Sequence, residues 1–156
     1  MVPVADLKKL DLFKDLTDEQ VGRLAKISRV KKCKRGQVVY RQGTTAKHLY
    51  FIKKGTVSLR RVEEHVGISF VSRVAGELLG AASLMEPREY TLTGLCLEDA
   101  ELYAVDADKL LGIFQKDPGL GYKMALAVAR IYFGLYQNAR GQLLAMVKAP
   151  TIITAP

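Results

Sequence analysis

The chain has 156 residues, 49% of them apolar and 26% charged, with a formal net charge of +8. That length suits one domain, able to bury roughly two-thirds of the surface its unfolded form exposes. No apolar run approaches the ~20 residues needed to span a bilayer, and Met1 to Lys9 lacks the charged-then-apolar pattern of a secretory leader, so the expected compartment is the cytoplasm.

Residues 1–29 are expected to be helical. Asp6 to Leu16 carries Leu7, Leu10, Leu12, Phe13 and Leu16. Thr17 followed by Gln20 matches a capping box, in which each side chain satisfies an amide that the helix start leaves orphaned. Val21, Leu24, Ala25 and Ile27 then supply an apolar stripe at helical spacing.

Residues 30–106 read as short strands. Val38–Tyr40, His48–Lys53, Thr56–Val62, Gly67–Val74 and Ala100–Val105 are rich in β-branched and aromatic residues. Glycines punctuate them, and Lys53-Lys54-Gly55 predicts a turn that exploits positive φ at glycine. In Thr56–Val62, Val57 and Leu59 alternate with Ser58 and Arg60, which predicts one wet face. Many short strands with frequent turns favour a sandwich, barrel or jelly roll.

Between Gln20 and Val62 there is no acid but thirteen Lys and Arg, leaving the rest of the chain net −5. A field of one sign attracts nucleic acid, anionic lipid or an acidic partner, although folding can equally spread these charges over a solvated surface. The two cysteines, Cys33 and Cys96, are far apart and form no C-x-x-C. They fit reduced residues in or near the core rather than a disulfide framework or zinc site, with redox sensing as the alternative.

Residues 107–147 are expected to be helical again. Asp106 and Asp108 place acids at the positive end of a short helix running to Phe114. Asp117 as N-cap and Pro118 at the first position then open a long one, reaching about Val147 before Pro150 stops it and residues 148–156 fray. Met124, Val128, Ile131, Leu135, Asn138, Gln142 and Ala145 recur at spacings of four and three, a coiled-coil seam in which Asn138 would fix register. Gly134 and Gly141 beside it would let a neighbouring backbone approach. Apolar residues run nearly all round this helix, which predicts burial on two sides and hence a homodimer. Tyr122, Ala125, Ala129, Tyr132, Phe133 and Tyr136, on its other faces, are then left to pack on the helix's own domain.

Together these pieces resemble the cyclic-nucleotide-binding domain of the catabolite-activator/FNR sensor family. Leu12–Glu19, Lys34–Gly43, His48–Val57 and Glu101–Asp106 carry the match, which extends from about Leu7 to Val147. The resemblance implies one domain over residues 1–147, an eight-stranded jelly-roll-like β-roll with N-terminal helices and a long C-terminal dimerisation helix. It also implies a regulatory role without catalysis, and a phosphate-binding cassette reading Gly-Glu-Leu-Ala and then, some ten residues on, Arg-Ser/Thr-Ala. In that cassette backbone amides take the cyclic phosphate, Arg forks onto its oxygens, and Glu accepts from the ribose hydroxyl.

Two registers fit this chain. One uses Gly76-Glu77 and Arg88, at the expense of shifting the following strand by two residues. The other, counted without gaps from Ala100–Asp106, places Gly80-Ala81 at the Gly-Glu position and Tyr90-Thr91 at the Arg-Ser/Thr position. On that count both charged ligands are replaced, by Ala81 and Tyr90, and desolvating a phosphate without its ion partner costs several kcal/mol. Arg88 and Arg73 are the cations left to swing in. Gly80, Ala81, Ala82, Ser83, Arg88, Tyr90 and Thr91 are therefore the candidate ligand residues, joined by Leu135 and Tyr136, which match positions where the family's helix reaches the ligand. The effector is then a cyclic dinucleotide, a flat apolar molecule or a haem-like group, or the pocket is filled by core side chains. The alternatives are ordinary cyclic AMP or cyclic GMP binding through Glu77 and Arg88, or the sensory half of a regulator lacking its helix-turn-helix. A jelly-roll metalloenzyme finds too few ligands in His48 and His65.

Overall fold

A computed structural model describes residues 1–63 and 66–147. His65, Pro150 and the 148–156 tail lie outside the described residues.

Eight strands follow one another: β1 (Ser28–Cys33), β2 (Val38–Tyr40), β3 (His48–Lys54), β4 (Val57–Glu63), β5 (Val66–Arg73), β6 (Leu78–Leu79), β7 (Thr93–Cys96) and β8 (Ala100–Asp106). They form two antiparallel sheets, ordered β1-β8-β3-β6 and β2-β7-β4-β5, packed as a jelly-roll-like β-roll. Side chains alternate faces along a strand, and β3 uses both. Leu49 and Phe51 join a core with Leu7, Phe13, Leu24, Leu110 and Met124 of the flanking helices. Tyr50 and Ile52 point the other way, into a roll interior shared with Tyr40, Val57, Cys96 and Leu102.

Four helices flank the roll: α1 (Val4–Leu7), α2 (Asp18–Lys26), α3 (Ala107–Lys116) and α4 (Pro118–Met146). Their starts follow from side-chain chemistry. The Gln20 amide donates to Thr17 Oγ1 at 3.2 Å while the Thr17 amide donates to Gln20 Oε1 at 3.0 Å, a complete capping box. Asp106 and Asp117 each accept a backbone N–H three residues on, at 3.0 Å. The Asp117 carboxylate also takes Arg23 at 2.6 Å, tying α2 to the start of α4.

Several expectations are corrected. Asp6–Leu16 is not one helix but α1 and a single 3-10 turn at Asp11–Phe13, because Leu10 between them adopts extended backbone. Ser58 is buried beneath Arg60, whose Nε donates to its Oγ at 3.1 Å, so the expected wet face of β4 begins only beyond it. Strand β1, an edge strand carrying Arg29, Lys31 and Lys32, has no apolar alternation to announce it. Cys33 and Cys96, distant in sequence, are free, buried thiols as expected, and both lie in the roll interior.

The expected helix seam is also corrected. Met124 is 0% exposed, Val128 is buried, and Ile131 packs on the same helix-side core, so this stripe covers the protomer's own roll. Leu135 follows it inward, whereas Asn138, Gln142 and Ala145 are exposed. The face left open runs through Tyr122, Leu126, Ala129, Phe133, Tyr136, Arg140 and Leu143. Those positions also recur at four and three. A helix apolar on several sides carries two such stripes, and contact with the roll decides which one is consumed.

Candidate functional site

The segment that the gapless count assigns to the cassette follows β6. Gly80 turns the chain at φ 74°, and the short 3-10 turn Ala81–Leu84 follows. A Cβ at this position would stand 3.0 Å from the His48 carbonyl oxygen and 3.1 Å from Tyr90 Cε1, so both space and backbone conformation require glycine.

Tyr90 enters this space from the other side. Its ring stacks on Tyr40 with centroids 4.1 Å apart, and Tyr40 in turn stacks on Tyr50 at 5.7 Å. The Tyr90 hydroxyl donates to the His48 carbonyl at 2.8 Å and accepts the His48 amide at 3.1 Å. Burial, and then the neighbouring phenols, push the Tyr40 and Tyr50 hydroxyls well above the ordinary tyrosine value. Tyr90 is raised chiefly by burial. All three are therefore neutral at physiological pH.

What remains open beside the cassette is a cavity of about 70 Å³, lined by Tyr40, Gly80, Ala81, Ala82, Tyr90 and Thr91 and closed by Tyr132 of α4. Five expected ligand residues, Gly80, Ala81, Ala82, Tyr90 and Thr91, thus come together. Ser83 is buried behind them, and its Oγ has no hydrogen-bond partner among the described residues. Arg88 is directed elsewhere: its Nε donates to the Ser83 carbonyl at 3.0 Å and its Nη1 to Asp108 at 2.7 Å. Glu77 accepts the Val74 amide at 2.7 Å and faces Arg73 at 3.9 Å.

A second cavity, about 190 Å³, lies under α4 and is lined by Phe51, Glu77, Ile131 and Leu135, and also by Arg73, Leu78 and Tyr132, which border the first as well. Leu135 therefore faces a cavity, the second rather than the one beside the cassette. Tyr136 does not: it is 59% exposed on the open face of α4, with the Arg140 guanidinium 5.7 Å from its ring centroid. Tyr132, one turn earlier, borders both cavities. Sequence reading missed Tyr40, Tyr50 and Tyr132; strand and helix periodicity place each on its element but do not show that they converge.

The basic stretch is only partly neutralised. Among its thirteen cations, Arg23, Lys32, Lys34, Lys53 and Arg61 have carboxylate partners among the described residues. A cleft of about 360 Å³ bordered by Lys32, Lys34 and Lys54 also contains Asp99 and Glu101. Both carboxylates are held below their usual range by hydrogen bonds, from the Arg35 amide and Lys34 for Asp99 and from Lys53 for Glu101. Lys26, Arg29 and Lys109 instead surround His48 and Asp106 at one end of the roll, in a cleft of about 200 Å³. Burial first, and then Arg29, Lys31 and Lys47, push the His48 pKa down, with Asp106 opposing.

Among the described residues no helix is long and apolar enough to cross a membrane. The model of the cyclic nucleotide-binding domain matches residues 30–117. The cyclic AMP receptor protein of Thermus thermophilus is 27% identical over 127 residues, which is 80% of this chain; the chain spans only 58% of that relative's length. A structure from Geobacter metallireducens described as a cyclic nucleotide-binding protein superposes with a TM-score of 0.79 at 25% identity, covering 86% of this chain and 98% of that one. The N-terminal domain of a Streptomyces coelicolor transcriptional regulator gives 0.69 at 27% identity, covering 83% and 94%. With β-roll, cassette turn and family match all falling on the same residues, this chain belongs to the cyclic nucleotide-binding domain family.

Proposed function

We propose that this domain, residues 1–147, is a cytoplasmic, non-enzymatic sensor whose effector is not an ordinary cyclic mononucleotide. The observation that carries this is Tyr90. Its ring stands in the cassette, stacked on Tyr40, with its hydroxyl committed in both directions to the backbone of His48. The space left is about 70 Å³, against roughly 300–1,000 Å³ for sites that enclose small molecules. Ala81 offers no acceptor for a ribose hydroxyl, and Arg88 is engaged by Ser83 and Asp108. Calorimetry with cyclic AMP and cyclic GMP tests the reading: the expected dissociation constants are weaker than ~10 μM, and a tighter one for either nucleotide overturns it.

The output is proposed to run through α4, the helix that closes both cavities. A ligand that enters beneath it shifts its position by differential affinity for two arrangements. Its open face, with Tyr122, Leu126, Phe133 and Tyr136, supports a homodimer through this helix. Lys26 and Arg29, which have no carboxylate partner among the described residues, support an acidic or anionic partner at the end of the roll.

A further inference from the structure

The cassette has no cation of its own facing its cavity, yet one guanidinium stands in the wall that the two cavities share. Arg73 ends β5, and its side chain is 14% exposed. Its one carboxylate neighbour among the described residues is Glu77, at a loose 3.9 Å; Glu77 is itself 42% exposed and already accepts the Val74 amide. A guanidinium so deeply seated, with five donors and so weak a partner, carries a desolvation cost that an oxyanion in either cavity would offset. Leu78 and Tyr132 complete the partition. Beyond it, Leu12, Phe51, Ile131 and Leu135 supply apolar wall to the larger cavity, which Asp11 and Glu77 also line. Tyr132 is 44% exposed at the edge of α4, next to Arg73, so rotation of its side chain toward solvent would merge the cavities without breaking the roll.

Building on the sensor reading above, we propose that Arg73 is the anion anchor of the effector site. It receives a carboxylate, sulfonate or phosphate group of a ligand whose flat apolar body lies under α4, with Tyr132 as the gate. The anchoring charge has thus moved from the cassette to β5, and the ligand's body from the roll interior to the helix side.

The probe for this is 8-anilinonaphthalene-1-sulfonate, an oxyanion on a flat apolar body, with uncharged 1-anilinonaphthalene as its partner. Fluorescence titration of the folded protein should show saturable binding of the sulfonate, weakened about tenfold or more in Arg73→Met, the order expected for losing a charged hydrogen bond. Arg73→Lys should keep part of it, and the uncharged ring should bind wild type and Arg73→Met alike. Circular dichroism melts establish that each variant is folded, and Arg73→Lys carries the test should Arg73→Met not fold. Equal sulfonate affinity in wild type and the folded arginine variant overturns the proposal, as does an absence of saturable binding to wild type. Tight cyclic AMP binding that Arg73→Met leaves unchanged would overturn both this anchor and the non-standard effector. Weak cyclic nucleotide binding with an Arg73-independent sulfonate site would remove the anchor alone.

Discussion

Tyr90 and Tyr40 lie ring on ring in the cassette, 4.1 Å between centroids and 19° from parallel, one from the loop before β7 and the other from the end of β2. This pair fills the interior next to the turn where the family's ligand chemistry is built. It also joins the two sheets, because the Tyr90 hydroxyl is bonded to β3 through His48.

Removing the ring should therefore cost stability in two separable parts. Tyr90→Phe loses both bonds to the His48 backbone and should lower unfolding free energy by about 1–3 kcal/mol. Tyr90→Ala also empties the stack and should cost about 3–5 kcal/mol. Urea midpoints at unchanged slope measure both, and a Tyr90→Phe midpoint equal to wild type would show that the hydroxyl is not holding the sheets.

Gly80→Ala probes the turn itself. The left-handed backbone disfavours a side chain there, and the added methyl meets the His48 carbonyl at 3.0 Å. A loss of about 1–3 kcal/mol is expected. Tyr90→Ala relieves one of the two close contacts, so the double variant should be more stable than the sum of the two losses. Strict additivity would argue that Gly80 and Tyr90 do not meet.

The two apolar stripes of α4 predict opposite phenotypes. Met124→Ala removes a fully buried side chain from the helix-side core and should cost about 2–5 kcal/mol in stability. Phe133→Glu lies on the open face, 61% exposed, and should leave stability little changed while converting a dimer to a monomer. Light scattering at tens of micromolar reads the second outcome. A wild-type monomer at that concentration would remove the dimer reading.

His48 sets one limb of the pH dependence. Its pKa is lowered from 6.5 by burial and by Arg29, Lys31 and Lys47, against the opposing pull of Asp106. Below 6.5 the unfolded chain therefore binds a proton that the folded chain resists, and stability falls as pH drops through that value toward the lowered one. His48→Gln should flatten the stability curve just below this point. The loss at lower pH, where Asp99, Glu101 and Asp117 give up their hydrogen bonds, should persist. A curve unchanged by the substitution would assign the upper limb to another group.

Cys96 should be chemically quiet. Burial, and then Cys33 beside it, push its thiol up to about 12, so little thiolate exists at pH 8. Iodoacetamide should label it slowly in the folded protein and quickly in guanidinium. Rapid labelling without denaturant would point to an open route between the sheets.

Much of the fold was legible in the sequence because its signals are local. Thr17 with Gln20, Asp106 and Asp117-Pro118 mark helix starts through side chains acting within three or four residues. Apolar runs such as His48–Lys53 mark strands buried on both faces. β1 escaped because an edge strand covered by lysines and arginines has no apolar alternation, and β6 because two residues carry no period at all.

By itself, then, the sequence marked the capped helix starts and the buried strands, and through its family resemblance implied a jelly-roll-like β-roll with a cassette in one of two registers. Only the tertiary structure decided that Tyr40, Tyr50 and Tyr90 converge there, that Arg73 borders two cavities, and which stripe of α4 the roll covers. The physical reason is range. Capping and periodicity act along a few residues of chain, whereas stacking, cavity walls and helix docking join residues tens of positions apart, and nothing in their local spacing encodes the partner.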